Sequence, residues 1–63
     1  SLLASIRGEY GEILIELGRA DEAEVHLCEA LDIWSAIGCE WGVQRARQAL
    51  ARIAEIAAAP RIG

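Results

Sequence analysis

The stretch YGEILIELGRADEAEVHLCEALDIW, residues 10–34, decides the fold because it contains a helix, a glycine break and a second helix. Its apolar residues recur at spacings of three and four on both sides of Gly18, which is typical of two amphipathic helices. Glycine readily adopts the left-handed conformation that ends a helix, and Asp21 then puts a negative charge in the first turn of the next. The stretch therefore predicts a helical hairpin with a tight turn.

The same periodicity continues on both sides of the hairpin and predicts three helices. They cover about residues 2–17, 20–37 and 40–58, and a short tail follows at 60–63. Gly38 separates the last two helices, and Pro60 ends the third because proline cannot continue a helix. Residues 1–59 are therefore expected to form one all-α domain.

Each predicted helix carries a stripe of residues that we expect to be buried. Gly8 and Gly11 lie inside the first helix, where each costs up to about 1 kcal/mol relative to alanine, so we expect a neighbouring helix to approach closely there. Ala23 and Ala30 are the small residues expected to face Gly11. The full stripes are Leu3, Ile6, Tyr10, Ile13, Leu14 and Leu17, then Ala23, Leu27, Ala30, Leu31, Trp34 and Ile37, then Val43, Ala46, Leu50, Ile53 and Ala57.

Length and charge limit the possible functions. A 63-residue chain is at most one domain, and a domain of this size buries only about 60% of its unfolded surface, so its stability is marginal. The net charge of −4 argues against a general nucleic-acid surface, and no apolar run is long enough to span a bilayer. Because the chain lacks an initiating Met and ends abruptly, we expect it to be part of a longer polypeptide.

Charge is also distributed unevenly along the chain. Residues 1–40 contain two arginines and nine acidic residues, a net charge of −7, whereas residues 41–63 contain four arginines and one glutamate, a net charge of +3. The two parts are expected to attract each other, within one chain or between two.

Few residues are candidates for a disulfide, a catalytic role or metal binding. Cys28 and Cys39 form no CxxC pair and have no histidine cluster beside them, so we favour two buried thiols in a reducing cytoplasm over a disulfide. His26 is the only histidine, and no nucleophile is tied to it, which favours a surface histidine over a general base. Glu12 and Glu16 lie one helical turn apart, but no further side chain is placed to complete a metal site with them. We expect no catalytic residue, metal or cofactor, and no enzyme activity.

The hairpin resembles a tetratricopeptide repeat, a helix-turn-helix unit of about 34 residues with large and small residues at fixed places. The resemblance covers about one repeat and then continues into half of another. The third helix resembles the first helix of a following repeat, with Leu50 and Ala51 standing where Tyr10 and Gly11 stand in the first. The matching positions in the hairpin are Tyr10, Gly11, Leu14, Gly18, Ala23, Leu27 and Ala30.

The second helix runs on to Trp34 and Gly38 without a closing proline, which is similar to a longer subtype of about 40 residues found in bacterial multidomain regulators. This resemblance implies a scaffold for protein-protein interaction in signalling or transcription regulation, with a peptide or a partner domain bound in a groove between the first and third helices. It places Ser5, Glu12, Ile15 and Glu16 on one wall and Arg45, Gln48, Arg52 and Glu55 on the other.

Two alternatives remain open for this surface. Arg45 and Arg52 are candidates to hold an acidic peptide, but the simpler interpretation is that Arg52 pairs with Glu12 on a solvated face. Trp34 and Trp41 are candidate partner anchors or parts of a small core.

Several further apolar positions lack an obvious cover within three helices, namely Leu2, Ile15, Ile33 and Ile56. This favours a second function, a homo-oligomerisation module in which copies of the chain complete one another's core. Neither a nucleic-acid partner nor a membrane partner is expected.

Overall fold

Three helices make up the computed structural model, which describes residues 1–60. They are α1 (Leu2–Glu16), α2 (Ala20–Ile37) and α3 (Glu40–Ala58), and no strand occurs in this part of the chain. The all-α prediction is confirmed, and each helix begins and ends within one residue of its predicted bounds. Residues 61–63 of the predicted tail lie outside the described residues.

The two turns between the helices have the same backbone conformation. Gly18 and Gly38 both have a positive φ, 78° and 72°, so each adopts the left-handed conformation that glycine tolerates best. The backbone N–H of Arg19 donates to the carbonyl of Leu14 at 2.8 Å, and that of Cys39 donates to the carbonyl of Trp34 at 2.9 Å. These bonds are typical of the Schellman helix ending, and the short turns fold neighbouring helices back on each other.

Trp34 is the largest side chain in one of the two clusters that form the core. Only 2% of its surface is exposed, and it is buried with Ala4, Ala30 and Ala46. A Cβ atom on Gly8 of α1 would lie 2.7 Å from Trp34 Cη2, and one on Gly42 of α3 would overlap the indole at Cγ and Cδ2. The indole therefore fits between α1 and α3 because both helices present bare backbone to it.

A second cluster fills the other half of the core. Leu14, Leu27 and Ile53 join there with Ile15, Ala23 and Ala49. A Cβ atom on Gly11 would lie 2.6 Å from Leu27 Cγ and 3.4 Å from the carbonyl oxygen of Ala23. The predicted close approach at Gly8 and Gly11 is confirmed, although Gly11 faces Leu27 where we expected Ala30.

The outward face of α1 differs from the prediction. Five of the six residues expected to be buried on this helix are instead 46–64% exposed: Leu3, Ile6, Tyr10, Ile13 and Leu17. The buried residues of α1 are Ala4, Gly8, Gly11, Leu14 and Ile15. Two stripes of similar spacing run along the helix, and α2 and α3 pack on the small-residue stripe because it lets their side chains reach the α1 backbone.

Smaller differences from the prediction concern the burial of individual residues in all three helices. Ile37 and Ala57 are exposed because they lie in the last turns of α2 and α3, whereas Leu31, Val43 and Leu50 are partly buried. Cys28 was expected to be buried but is exposed, Cys39 is partly buried, and both thiols are free. Ile15 was expected to lack cover, yet it is only 6% exposed because α3 packs against it.

The fit of Trp34 against Gly42 predicts that a single methyl group at position 42 destabilises the chain. We expect Gly42→Ala to lower the free energy of unfolding by about 1–3 kcal/mol, although alanine is favoured over glycine in a helix by roughly 1 kcal/mol. Urea unfolding followed by circular dichroism measures this change.

Ala54→Gly is the matched control, since Ala54 is exposed on the same helix and its replacement changes helix propensity alone. A Gly42→Ala variant as stable as the parent chain would contradict the packing of the indole against α3.

Candidate functional site

Glu12 of α1 and Arg45 of α3 form the contact that joins the two walls of the expected groove. Arg45 donates from Nε and from Nη2 to the same carboxylate oxygen of Glu12, Oε2, at 2.8 and 2.7 Å. The side chains are 36% and 30% exposed, so water still reaches the pair. Because both bonds end on one oxygen, the pair differs from the side-on geometry in which each nitrogen binds its own carboxylate oxygen.

Trp41 extends this contact into an aromatic surface. The guanidinium carbon of Arg45 lies 5.3 Å from the centre of the Trp41 ring, within the range of a cation–π interaction. The Trp41 ring also meets the buried Trp34 edge to face, with centroids 6.3 Å apart and planes at 81°. Trp41 is nevertheless 64% exposed. Its position is thus set by the core while most of its surface faces solvent.

The structure separates the predicted site residues into three groups. Glu12, Arg45 and Trp41 come together, as described above. Gln48 is exposed and lines one open depression with Trp41 and Arg45. Ile15 and Trp34 belong to the core, so neither can anchor a partner. The remaining candidates lie at the surface away from this cluster: Glu16, Arg52 and Glu55 are exposed, and Ser5 is partly buried.

The predicted pairing of Arg52 with Glu12 is wrong, because Arg45 takes this position. Arg52 forms no ion pair within residues 1–60. The difference comes from the height at which α3 crosses α1. Gly42 seats α3 on the Trp34 indole, and this brings the next turn of α3, at Arg45, to the level of Glu12.

Four residues of the site were not predicted: Glu40, Gln44, Glu9 and Ile13. Glu40 and Gln44 line an open depression together with Trp41, Arg45 and Gln48, and Glu9 and Ile13 border Glu12 and Arg45 on the α1 side. The contact between Trp41 and Arg45 could have been predicted from the sequence, because residues four apart are neighbours on one helix face. The residues from α1 have no such signal in the sequence.

His26 belongs to a separate polar cluster at the α1–α2 seam. Arg7 donates to His26 Nδ1 at 3.0 Å and pairs with Glu29 at 2.9 Å, and the rings of Tyr10 and His26 meet edge to face at 4.7 Å. Since a guanidinium only donates, Nδ1 acts as an acceptor and the proton of the neutral imidazole lies on Nε2. These contacts bind the two helices to each other.

Comparisons of this chain with protein-family models, with curated proteins and with solved structures find no match. Within residues 1–60, no three His, Cys, Asp or Glu side chains lie close enough to hold a metal ion. None of the three helices has the length and hydropathy needed to cross a membrane.

The geometry at Glu12 and Arg45 predicts a measurable coupling between these side chains. In a double-mutant cycle with Glu12→Gln and Arg45→Gln, we expect a coupling energy of about 0.5–1 kcal/mol. Added salt should reduce it, because water and ions reach the pair. Urea unfolding of the four proteins gives the value.

The control cycle uses Arg19 and Glu22 at the start of α2, which also pair at 2.7 Å but have 55% and 51% exposed side chains. The hydrogen bond to Glu22 raises the pKa of Arg19 above its ordinary value. We expect a smaller coupling for this pair. Equal couplings in the two cycles would show that Glu12–Arg45 contributes no more than an ordinary surface contact.

Proposed function

We propose that the chain is a protein-protein interaction module, similar to a tetratricopeptide repeat, that binds a peptide or a partner domain in the groove between α1 and α3. The observation that carries this proposal is the exposed Trp41 ring held against Arg45, with Arg45 paired to Glu12 across the groove. We further propose that the module serves a larger bacterial regulatory protein.

Trp41 and Arg45 are the residue types that contribute most to binding at protein interfaces. The exposed indole offers an apolar surface whose ordering costs little entropy, since the ring already rests on Trp34. Arg45 offers a guanidinium whose present partner, Glu12, is itself accessible to water. The site thus suits an apolar or aromatic side chain next to a carboxylate.

An acidic peptide would bind by exchanging its carboxylate for that of Glu12. Because the existing pair is partly exposed, breaking it costs little, and the released Glu12 carboxylate can be hydrated. A ligand carboxylate that approaches Arg45 side-on would give each of the two donating nitrogens its own oxygen, in place of the single oxygen that they share in Glu12. Removal of the Glu12 charge should therefore strengthen binding, whereas removal of Arg45 should weaken it.

Two features of the fold support the likeness to a helical repeat. The same glycine turn occurs at Gly18 and Gly38, so α1–α2 and α2–α3 are joined in the same way. Gly8 and Gly11 of α1 and Gly42 of α3 let neighbouring helices pack closely, as expected of stacked helical hairpins.

A second candidate function is homo-oligomerisation. It is favoured by the large apolar side chains that remain half exposed along α1. Apolar residues scattered singly over a monomer surface are normal, whereas a continuous apolar stripe of this kind is typical of an interaction site.

The peptide proposal is tested with a phage-displayed library of random peptides, selected on the immobilised chain. We expect the retained peptides to be rich in Asp and Glu beside apolar residues. Each retained peptide is then measured by fluorescence anisotropy. We expect Arg45→Ala and Trp41→Ala to weaken binding by about tenfold or more, and Glu12→Gln to strengthen it.

Arg47→Ala and Ile56→Gln are the matched controls, because Arg47 and Ile56 are exposed on α3 and do not line the depression at Trp41 and Arg45. If no selected peptide distinguishes the groove variants from these controls, the proposed groove function is wrong.

A further inference from the structure

The exposed large apolar residues of α1, together with Leu17 directly after it, form a stripe whose order of residue types is symmetric. Leu3, Ile6, Tyr10, Ile13 and Leu17 follow one another at spacings of three, four, three and four, which is the repeat of a coiled-coil seam. The order of residue types, Leu-Ile-Tyr-Ile-Leu, is symmetric about Tyr10. A second stripe placed antiparallel, with Tyr10 opposite Tyr10, would therefore set Leu3 opposite Leu17, while Ile6 would lie one residue away from the level of Ile13.

The exposed area is close to that which one partner contributes to a standard dimer interface. With Leu2 at its edge, which is 78% exposed, the stripe comprises six large apolar residues, each about half exposed or more. If a fully exposed residue of this kind has roughly 200 Å² of surface, the stripe offers on the order of 600 Å². This approaches the roughly 800 Å² that each partner contributes to a standard interface.

The rest of the surface offers no comparable complement to this stripe. The exposed large apolar residues elsewhere in residues 1–60 are scattered, with Val25 and Ile37 on α2 and Trp41 and Ile56 on α3. The solvent side of α3 is instead largely polar, with Gln44, Arg47, Gln48, Arg52 and Glu55 exposed. Head-to-tail association would cover the α1 stripe of each copy with the polar α3 of the next. The α1 stripe of the last copy would remain exposed.

We propose that two copies of this chain form a closed, twofold-symmetric dimer through antiparallel pairing of their α1 stripes, with the two Tyr10 side chains at the axis. Such an interface covers both stripes at once, and because it is closed, the assembly does not grow beyond two copies. The opposed helix dipoles also favour the antiparallel arrangement. The proposal deepens the homo-oligomerisation alternative by assigning its surface, and it does not depend on the groove.

The groove and the stripe share Ile13, which borders Glu12 and Arg45, but their other residues lie on different sides of α1, so variants at those residues test the two surfaces separately. Glu12 faces α3 and bonds to Arg45, whereas Ile6 and Tyr10 lie on the outward side, where they border Arg7 and His26. Arg45→Ala should therefore leave the dimer unchanged, and Ile6→Gln should leave peptide binding unchanged.

The experiment is sedimentation velocity of the full chain over serial dilution, compared with two variants of matched exposure. Ile6 is 55% exposed on the stripe and Ile56 is 53% exposed on α3. We expect the parent chain to be a dimer that dissociates to monomers without forming larger species. Ile6→Gln should raise the dissociation constant at least tenfold, while Ile56→Gln leaves it unchanged, and circular dichroism confirms that both variants remain helical.

A parent chain that stays monomeric at the highest concentration would overturn the proposal. So would a dimer that Ile6→Gln does not weaken, or a mass that grows continuously with concentration, because the last result indicates head-to-tail association.

The direction of pairing is tested with a spin label on Leu2→Cys, in a chain whose native thiols are replaced by Cys28→Ser and Cys39→Ser. In the antiparallel dimer the two labelled positions lie about 24 Å apart along the helix axis, at 1.5 Å per residue. Dipolar spectroscopy should record a separation of this order. A separation of about 10 Å, the spacing of helices side by side, would contradict the antiparallel arrangement.

Discussion

The contact on which the rest of the structure depends is the Trp34 indole lying between two bare backbones, α1 at Gly8 and α3 at Gly42. Removal of a buried tryptophan side chain typically costs 3–5 kcal/mol, which is comparable with the whole stability of roughly 3–9 kcal/mol expected for a chain of this length. No other buried residue in the described part of the chain is as large. The three-helix packing therefore rests on one side chain and on two positions that carry none.

The same contact determines the candidate site. With Gly42 against the indole, the preceding residue, Trp41, meets Trp34 edge to face, and the next turn of α3 brings Arg45 to Glu12. A core residue, a partly exposed aromatic ring and a surface ion pair are thus connected in one continuous series of contacts. Trp41 can remain exposed and still hold a fixed position, which is the property that a binding surface requires.

The sequence predicted the helices well because the relevant signals are local. Gly18 and Gly38 end helices through their own backbone preference, and spacings of three and four identify helical segments. The sequence predicted the contacts of these helices less well, since α1 carries two stripes of equal spacing and periodicity does not tell which one faces inward. Gly8 and Gly11 were the informative residues, because a costly residue inside a helix indicates a close neighbour. The choice of Arg45 over Arg52 as the partner of Glu12 depends on how Gly42 seats α3, which is a tertiary property.

The central claim is that the Trp34 indole joins α1 to α3, and nuclear Overhauser spectroscopy tests it most directly. We expect contacts from the Trp34 ring protons to the Hα protons of both Gly8 and Gly42, with these Hα resonances shifted by the ring current of the indole. Glycine Hα resonances near their random-coil positions, without contacts to Trp34, would contradict it.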